Sequence, residues 1–309
     1  MSVSSARGII RRLMKPAIRM VAIDLDGTLL NSQKRISTED ARALQEAFDR
    51  GVEIIPVTGR NFSFALPVVE TLPFEVPLVA SNGAVIRKQN GETFFRCLLP
   101  LAIARDILEA TAEFRAYTVV VYDQPGAGHL RIQERLNGTS ASEQTVSYPP
   151  GGVALSPWLR RNQALVQSFA SLEQALEGDP LEMLFTGPMS VMSGVAQRLE
   201  NGFGAGPSSE NRFRLLRTEY PARDLAILDV IHRDCSKGHA LDHWSRTRKI
   251  PAAEIMAIGD NYNDLEMLHF AGFPVVMGNA DESLKRQGWA VTLDCDSSGV
   301  AHALRRYVL

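Results

Sequence analysis

Cysteine, long apolar runs and an excess of charge of either sign are all scarce in this chain. Its three cysteines, Cys97, Cys235 and Cys295, lie far apart in the sequence and form no Cys-x-x-Cys pair. This spacing argues against a disulfide framework and against a zinc site. No apolar stretch approaches the roughly 18 residues that a membrane-spanning helix requires. We therefore expect a soluble, cytoplasmic protein without a membrane partner.

The charges of the chain nearly cancel, because 33 Lys and Arg stand against 35 Asp and Glu and leave a formal net charge of -2. Such a balance creates no general field that would attract nucleic acid or an anionic membrane. An anionic ligand would have to be bound locally. The first twenty residues contain basic residues and no acid, and these basic residues interrupt every apolar run, unlike in a signal peptide. We predict that residues 1–20 form a disordered basic extension.

Short β-branched runs alternate with helical patterns after residue 20, which is typical of a parallel sheet covered by helices. VAID, VEIIPV and VPLVAS are predicted strands. Between the first two, STEDARALQEAFDRG predicts a helix with Ser37 as its N-cap, Asp40 as an acidic capping partner and Gly51 as its stop. The alternation returns from SKGHALDHWSRTRK to the C-terminus.

The pattern between these two parts of the chain is different and indicates an insertion. With 309 residues, 45% of them hydrophobic, the chain is long enough for two domains. We predict an α/β fold, with a doubly wound, Rossmann-like parallel-sheet core at residues 21–86 and 233–309 and a smaller α+β domain inserted at 87–232. Its loop at 137–157 is rich in Ser, Thr, Gly and Pro. Its candidate strands are ETFFRC, YTVVVY, HLRIQ, LEMLFTG, RFRLLRT and DLAILDV, and its clearer helices lie near 100–114 and 188–200.

Polar residues at strand ends carry the chemistry of the predicted core. In an open parallel sheet, ligands bind beyond the carboxyl ends of the strands, and four acids, one hydroxyl and one ammonium are expected at that edge. They are Asp24, Asp26, Asp260, Asp264, Thr58 and Lys237. Four carboxylates would repel each other unless a cation lay among them. Oxygen ligands favour Mg²⁺, which typically binds one or two carboxylates and a substrate phosphate.

Each of these residues also has a structural explanation when it is taken alone. An Asp-x-Asp-Gly segment is often only a turn. Asp260 and Asp264 could be acids at helix N-termini, where the helix dipole favours them. Lys237 alone would be a surface charge, and Arg60 could be a solvated residue at a helix start, so we leave Arg60 out of the catalytic set. Only the combination of these residues favours chemistry.

Five segments in order, DLDGTLL, VTGR, SNGA, SKG and GDNYNDLEML, together with the tail AGFPVVMGNADESLK, resemble the Cof-like branch of the haloacid dehalogenase (HAD) superfamily of phosphatases. The resemblance covers the whole core, whereas the insertion matches only in its placement and general α/β character. It implies a HAD core with a C2-type (IIB) cap domain. It also implies Mg²⁺-dependent hydrolysis of a small phosphorylated metabolite, with a sugar phosphate as the expected substrate, through an aspartyl-phosphate.

The resemblance implies roles for the motif residues. Asp24 would attack phosphorus, and Asp26 would protonate the leaving oxygen and later activate water. Thr58 and backbone N–H groups, including those at Gly27 and Gly59, would hold phosphoryl oxygens.

The same resemblance implies the groups that handle charge. Lys237 would offset the charge on the nucleophile and the phosphate. Asp260 would bind Mg²⁺ together with Asp24 and the backbone carbonyl of Asp26, and Asp264 would support the metal or orient Lys237. Asn82 and Asn263 are further expected substrate contacts.

Other functional classes stay open at this point. A receiver-type signalling module also combines acids, threonine and lysine on a parallel sheet, but it places them after different strands. A phosphosugar mutase of the same superfamily usually carries its cap between the first two motifs, where this chain has little room. A catalytically silent binding protein would be expected to lose a catalytic position, and all are present. We expect a small phosphate ester as partner, no nucleic acid, and a monomer or weak homo-oligomer.

Overall fold

The computed structural model of the chain describes residues 18–134, 156–203 and 212–309. The β-strands are β1 (Met20–Asp24), β2 (Glu53–Val57), β3 (Pro77–Ala80), β4 (Val85–Lys88), β5 (Thr93–Arg96), β6 (Thr118–Val121), β7 (Leu130–Gln133), β8 (Val166–Phe169), β9 (Glu182–Gly187), β10 (Phe213–Tyr220), β11 (Leu225–His232), β12 (Ile255–Gly259), β13 (Phe273–Val276) and β14 (Ala290–Val291). The predicted basic extension up to residue 17, and the predicted loop up to residue 155, lie outside the described residues.

The α-helices are α1 (Thr38–Asp49), α2 (Phe62–Val69), α3 (Leu101–Ala110), α4 (Pro157–Arg161), α5 (Leu172–Ala175), α6 (Met189–Phe203), α7 (Lys237–Arg248), α8 (Leu265–Phe270), α9 (Glu282–Lys285) and α10 (Gly299–Tyr307). As predicted, Ser37 caps α1, since its hydroxyl accepts a hydrogen bond from the Asp40 N–H at 3.0 Å and donates one to the Asp40 carboxylate at 2.7 Å. Gly51 follows the helix with a left-handed φ of 82°. None of the described helices has the length and apolar character needed to cross a bilayer.

The first sheet has the strand order β14-β13-β12-β1-β2-β3-β4-β5 within the described residues. Its neighbours are parallel from β14 to β3, and β4 and β5 add two antiparallel pairings. The α/β prediction is therefore confirmed. β1 lies between β12 and β2 with all five residues buried. A parallel strand covered on both faces needs such a continuous apolar run.

Alternate residues of β1 face two different layers of helices. Val21 and Ile23 belong to a core cluster that includes residues of α1, α2 and α10. Met20 and Ala22 belong to the cluster on the opposite face, which includes residues of α7 and α8. Helices on both faces leave the carboxyl ends of the strands as the place where polar side chains can gather.

The chain divides into two units, one formed by the described residues up to Arg96 with Ser236–Leu309, and the other by Cys97–Cys235. The second unit has its own mixed sheet, in the order β10-β11-β9-β6-β7-β8. Side chains of α3 and α6 pack on one face of this sheet. This arrangement agrees with the predicted α+β character of the insertion.

One strand of this region was predicted in the wrong sheet, and another was not predicted. The ETFFRC strand, expected in the insertion, is β5 and pairs with β4 in the first sheet, because a local β pattern does not specify which sheet a strand joins. β8, with the sequence VQSF, was not expected at all. Its strand conformation depends on parallel pairing with β7, since its own residues show no β-branched run.

Candidate active site

A buried lysine connects two buried aspartates at the carboxyl edge of the first sheet. Asp24 is the last residue of β1, Lys237 is the first residue of α7, and Asp264 closes the 3-10 turn after β12. The Lys237 Nζ donates to Oδ1 of Asp24 and to Oδ1 of Asp264, each at 2.6 Å. The lysine is 1% exposed and Asp264 is fully buried. These three residues form one hydrogen-bonded charge cluster.

The position of Lys237 needs this double pairing. An ammonium at a helix N-terminus faces the positive end of the helix dipole, which is unfavourable, and burial alone would lower the pKa of the ammonium. The charges of Asp24 and Asp264 outweigh burial and raise the pKa of Lys237 above its ordinary value. The helix itself is capped by the Ser236 hydroxyl, which accepts from the His239 N–H at 3.0 Å. Lys237 is therefore cationic at neutral pH.

Asp264 has both of its carboxylate oxygens engaged. Oδ1 accepts from Lys237, while Oδ2 accepts from the backbone N–H groups of Asp260 and Asn261, both at 3.0 Å. The side chain also packs against Gly259, where a Cβ would lie 2.7 Å from the Asp264 carboxylate. Asp264 thus fixes the turn that presents Asp260 and at the same time anchors the lysine.

Asp260 approaches the loop after β1 from the neighbouring strand. Its Oδ1 accepts from the Thr28 hydroxyl at 3.0 Å. Gly27 has a φ of 87°, and a Cβ there would lie 2.4 Å from Oδ2 of Asp260. The turn after Asp26 therefore requires glycine both for its conformation and for the close approach of this carboxylate.

Excess negative charge is concentrated among Asp24, Asp260 and Asp264. Carboxylate oxygens of the three lie within 4.8 Å of one another. Burial, with the charges of Asp264 and Asp260, raises the pKa of Asp24 well above its ordinary value although Lys237 opposes this. Burial and Asp264 raise the pKa of Asp260 to about 6. A hard divalent cation would offset the repulsion between these carboxylates. A donor set made only of oxygen atoms is the kind that Mg²⁺ accepts.

Asp26 lies at the same edge but makes a different set of contacts. Arg60 donates from Nε to Oδ2 and from Nη2 to Oδ1 of Asp26, both at 2.6 Å. Lys34 donates to Oδ1 at 2.8 Å. Partial burial would raise the pKa of Asp26, but the hydrogen bonds and charges of Arg60 and Lys34 lower it overall. The expectation that Arg60 is a solvated residue is wrong.

The remaining predicted site residues gather around the end of β2. The Thr58 hydroxyl is buried and accepts from the Arg60 N–H at 3.1 Å. A Cβ on Gly59 would lie 2.9 Å from Oδ1 of Asn82, and this oxygen accepts a long hydrogen bond of 3.4 Å from Asn263. The structure thus brings every predicted site residue to one edge of the sheet.

The turn that carries Asn82 is held in an uncommon conformation. Ser81 and Asn82 have φ values of 51° and 54°, followed by Gly83 at 98°. Consecutive left-handed residues other than glycine are strained. Backbone hydrogen bonds from the Ser81 N–H to the Arg60 carbonyl and from the Asn82 N–H to the Thr58 carbonyl, at 2.8 and 3.0 Å, hold them. This turn points Asn82 toward the segment after β2.

Two cations of the site, Arg60 and Lys34, are not among the predicted site residues. Arg60 had a usable signal, because it directly follows Thr58 and Gly59 in VTGR. Lys34 had none, because it lies in an exposed turn with a left-handed φ of 60° and reaches Asp26 only through the folded loop.

Comparison with known proteins gives consistent matches along the chain. A family model described as haloacid dehalogenase-like hydrolase matches residues 21–149 and 216–304. Phosphatase YwpJ of Bacillus subtilis (strain 168) is 30% identical over 293 residues, which cover 93% of this chain and 99% of that protein. The 5-amino-6-(5-phospho-D-ribitylamino)uracil phosphatase YwtE of the same organism is 26% identical over 295 residues, covering 92% and 96%.

A solved structure has the same fold. The crystal structure of TM0651 from Thermotoga maritima matches with a TM-score of 0.74 and 23% sequence identity, covering 94% of this chain and 97% of that chain. The match extends over both units of the chain.

Proposed function

Because the chain belongs to the haloacid dehalogenase superfamily, in its Cof-like branch of phosphatases, we propose that it hydrolyses a small phosphorylated metabolite with Asp24 as the nucleophile. The observation that carries this proposal is the Lys237 ammonium, which binds Asp24 and Asp264 at 2.6 Å beside Asp260. Because one oxygen of the Asp24 carboxylate is hydrogen-bonded to Lys237, the position of its second oxygen is also defined. A buried, oriented acid next to a fixed cation suits attack on an anionic phosphoryl group.

The first chemical step follows from this arrangement. An oxygen of Asp24 would form a bond to phosphorus while the bond from phosphorus to the ester oxygen breaks, which leaves an aspartyl-phosphate and an alkoxide. Lys237 would offset the negative charge of the nucleophile and of the phosphoryl oxygens. Thr58, with backbone N–H groups at Gly27 and Gly59, would hold those oxygens. Asn82 and Asn263 lie close enough to this segment to add contacts.

Asp26 would transfer the protons. As general acid it would protonate the leaving oxygen, and as general base it would take a proton from the water that hydrolyses the aspartyl-phosphate. The ion pairs with Arg60 and Lys34 favour the ionised form, which suits the second role. The first role requires that the contact with Arg60 loosens when substrate binds, because a protonated carboxyl no longer pairs with two guanidinium N–H groups.

A Mg²⁺ ion would be held by Asp24, by Asp260 and by the backbone carbonyl of Asp26, with Asp264 supporting the site through Lys237 and the turn at Asp260. When bound, it would supply positive charge that neutralises the carboxylates and the incoming phosphate. The crowding of three carboxylates supports this assignment, since burial, together with the neighbouring acids, raises the pKa of both Asp24 and Asp260.

A sugar phosphate or a similar polyol phosphate is the substrate class that we propose. YwtE, which resembles this chain over 96% of its own length, carries a phosphorylated ribityl group in the name of its substrate. The inserted unit would act as the cap that selects the substrate and excludes nucleic acids. We further propose that the protein works in the reducing cytoplasm, where its free thiols persist, as a monomer or weak homo-oligomer.

The test is hydrolysis of a panel of small phosphate esters with and without Mg²⁺. The unaltered protein is compared with Asp24→Asn and with Asp49→Asn, a control that changes an exposed carboxylate on α1. We expect Mg²⁺-dependent release of phosphate that is lost only in Asp24→Asn. Isomerisation of a sugar phosphate without net release would indicate a mutase. Binding of a phosphate ester without turnover would indicate a silent binding protein, and stable phosphorylation of Asp24 a receiver-type module.

A further inference from the structure

Asn279 joins three segments of the active-site edge through one exposed side chain. It lies in the loop after β13, within GNAD. Its Nδ2 donates to the carbonyl oxygen of Gly27 at 2.8 Å and lies 3.5 Å from Oδ2 of Asp260. Its Oδ1 accepts from the Cys295 N–H at 2.9 Å. None of the roles described above uses this residue.

The contacts of the carboxamide allow only one orientation. The Cys295 N–H is a donor and must face the oxygen, whereas the Gly27 carbonyl is an acceptor and must face the nitrogen. A flipped amide would direct its oxygen toward a carbonyl and a carboxylate. The hydrogen bond from the Cys295 N–H therefore orients the Asn279 carboxamide so that its two N–H groups point toward Gly27 and Asp260.

The Gly27 backbone and the Asp260 carboxylate, which Asn279 contacts, lie against each other in the site. Gly27 has no room for a side chain because Oδ2 of Asp260 occupies that space. The Gly27 peptide directly follows Asp26, whose carbonyl is one of the ligands proposed above. Fixing the Gly27 carbonyl therefore restricts the position of this neighbouring peptide.

Asp260 is held on both sides by uncharged donors. Thr28 donates to Oδ1 at 3.0 Å, and Asn279 lies at the outer limit of hydrogen-bond distance from Oδ2. By contrast, Asp24 and Asp26 are each bound by cationic side chains. A neutral donor orients a carboxylate without supplying positive charge that would compete with a cation.

We propose that Asn279 is a positioning residue that sets the affinity of the site for Mg²⁺ by holding Asp260 and the Gly27 peptide in place. The inference rests on the proposed function. Partners of metal ligands commonly change metal affinity by about 10- to 100-fold when they are removed. Because Asn279 is exposed, its hydrogen bonds contribute little to folding, and its loss affects the site more than the stability of the unit.

The experiment measures Mg²⁺ binding directly by titration calorimetry on the full chain. The variants are Asn279→Ala, Asn279→Leu, which keeps the size of the side chain, and Asn90→Ala. Asn90 is a matched control in the same unit, because it is also exposed and its Oδ1 accepts a backbone N–H, that of Glu92, at 3.0 Å. The melting temperature is measured in EDTA, and kcat is measured as a function of Mg²⁺ concentration.

We expect both Asn279 variants to bind Mg²⁺ about tenfold more weakly or worse, to melt in EDTA like the unaltered protein, and to recover most of kcat at saturating Mg²⁺. Asn90→Ala should differ in none of these. Unchanged Mg²⁺ affinity in both Asn279 variants would overturn this inference but not the proposed function. A lower melting temperature in EDTA in the variants that lose affinity would also overturn it, because the loss would then follow from unfolding. If the unaltered protein binds no Mg²⁺, the proposed metal-dependent function fails and the inference is overturned with it.

Discussion

Arg60 binds both carboxylate oxygens of Asp26, each at 2.6 Å, although the two residues lie 34 positions apart and follow different strands. A bidentate guanidinium fixes the plane of a carboxylate as well as its position. The residue proposed to transfer protons therefore has a defined direction before any substrate is bound. Arg60 is the group on which that direction depends.

Replacing Arg60 by alanine is expected to lower kcat by about 10- to 100-fold, because a misdirected acid–base group loses much of its effect. The pKa of Asp26 should rise, since Arg60 now lowers it. Asp26 is then protonated at a higher pH, so the acidic limb of the pH profile of kcat should shift to higher pH. Arg42→Ala, a change of an exposed arginine on α1, should leave the profile unchanged. An unshifted limb in Arg60→Ala would contradict the role.

Lys237→Met should destabilise the first unit by about 3–5 kcal/mol in the absence of metal, because it leaves two buried carboxylates without their cation. Denaturant titration in EDTA measures this. Combining it with Asp24→Asn should cost less than the sum of the two single changes, since the second change removes one of the stranded charges. Additive costs would show that the three residues do not act as one charge cluster.

Gly27 and Gly51 form a natural pair for testing the close approach of Asp260. Both have a left-handed φ, but a Cβ at Gly51 meets nothing within 4 Å, whereas one at Gly27 lies 2.4 Å from Oδ2 of Asp260. Gly51→Ala should cost about 1–2 kcal/mol of stability and leave kcat unaltered. Gly27→Ala should in addition abolish most phosphate release. Equal activity of the two variants would refute the steric argument.

His129 should make the inserted unit sensitive to acid. It is 4% exposed, its Nδ1 lies 3.2 Å from the Gln124 carbonyl, and burial lowers its pKa. As the pH falls through the unfolded value of about 6.5, the unfolded chain binds a proton that the folded unit does not, so stability falls.

The slope from this one group cannot exceed about 1.4 kcal/mol per pH unit. Denaturant titrations between pH 7.5 and 5.5 should show a shallower slope for His129→Gln than for the unaltered protein. His243→Gln, which changes a histidine of α7 in the other unit, is the control. Identical slopes in the unaltered protein and His129→Gln would contradict the assignment.

Site residues and helix caps could be predicted from the sequence where a local pattern determines the position of the side chain. Asp24, Thr58 and Asp260 could be placed at one edge because Asp24 ends a buried strand and the other two directly follow one. Parallel strands of a doubly wound sheet end at the same edge. The capping of α1 by Ser37 could be predicted for the same reason, since the partner lies three residues away.

Partners that depend on tertiary contacts could not be predicted. Lys34 reaches Asp26, and Asn279 reaches Gly27, only through the folded loops that carry them. Gly27 lies 252 positions from Asn279. β5 was assigned to the wrong sheet because the strand pattern is the same in either. The interactions that hold the site together thus come mostly from the packing of distant segments.

The pairing of Asp24 with Lys237 also has a consequence for how the protein is made. The two residues are 213 positions apart, and a ribosome that adds about 5–20 residues per second needs roughly 10 to 40 s to travel from one to the other. During that interval the whole inserted unit, Cys97–Cys235, is synthesised, while β1 has no β12 beside it and its acid has no ammonium. The proposed catalytic centre is consequently among the last parts of the nascent chain that can assemble, after the inserted unit has been synthesised.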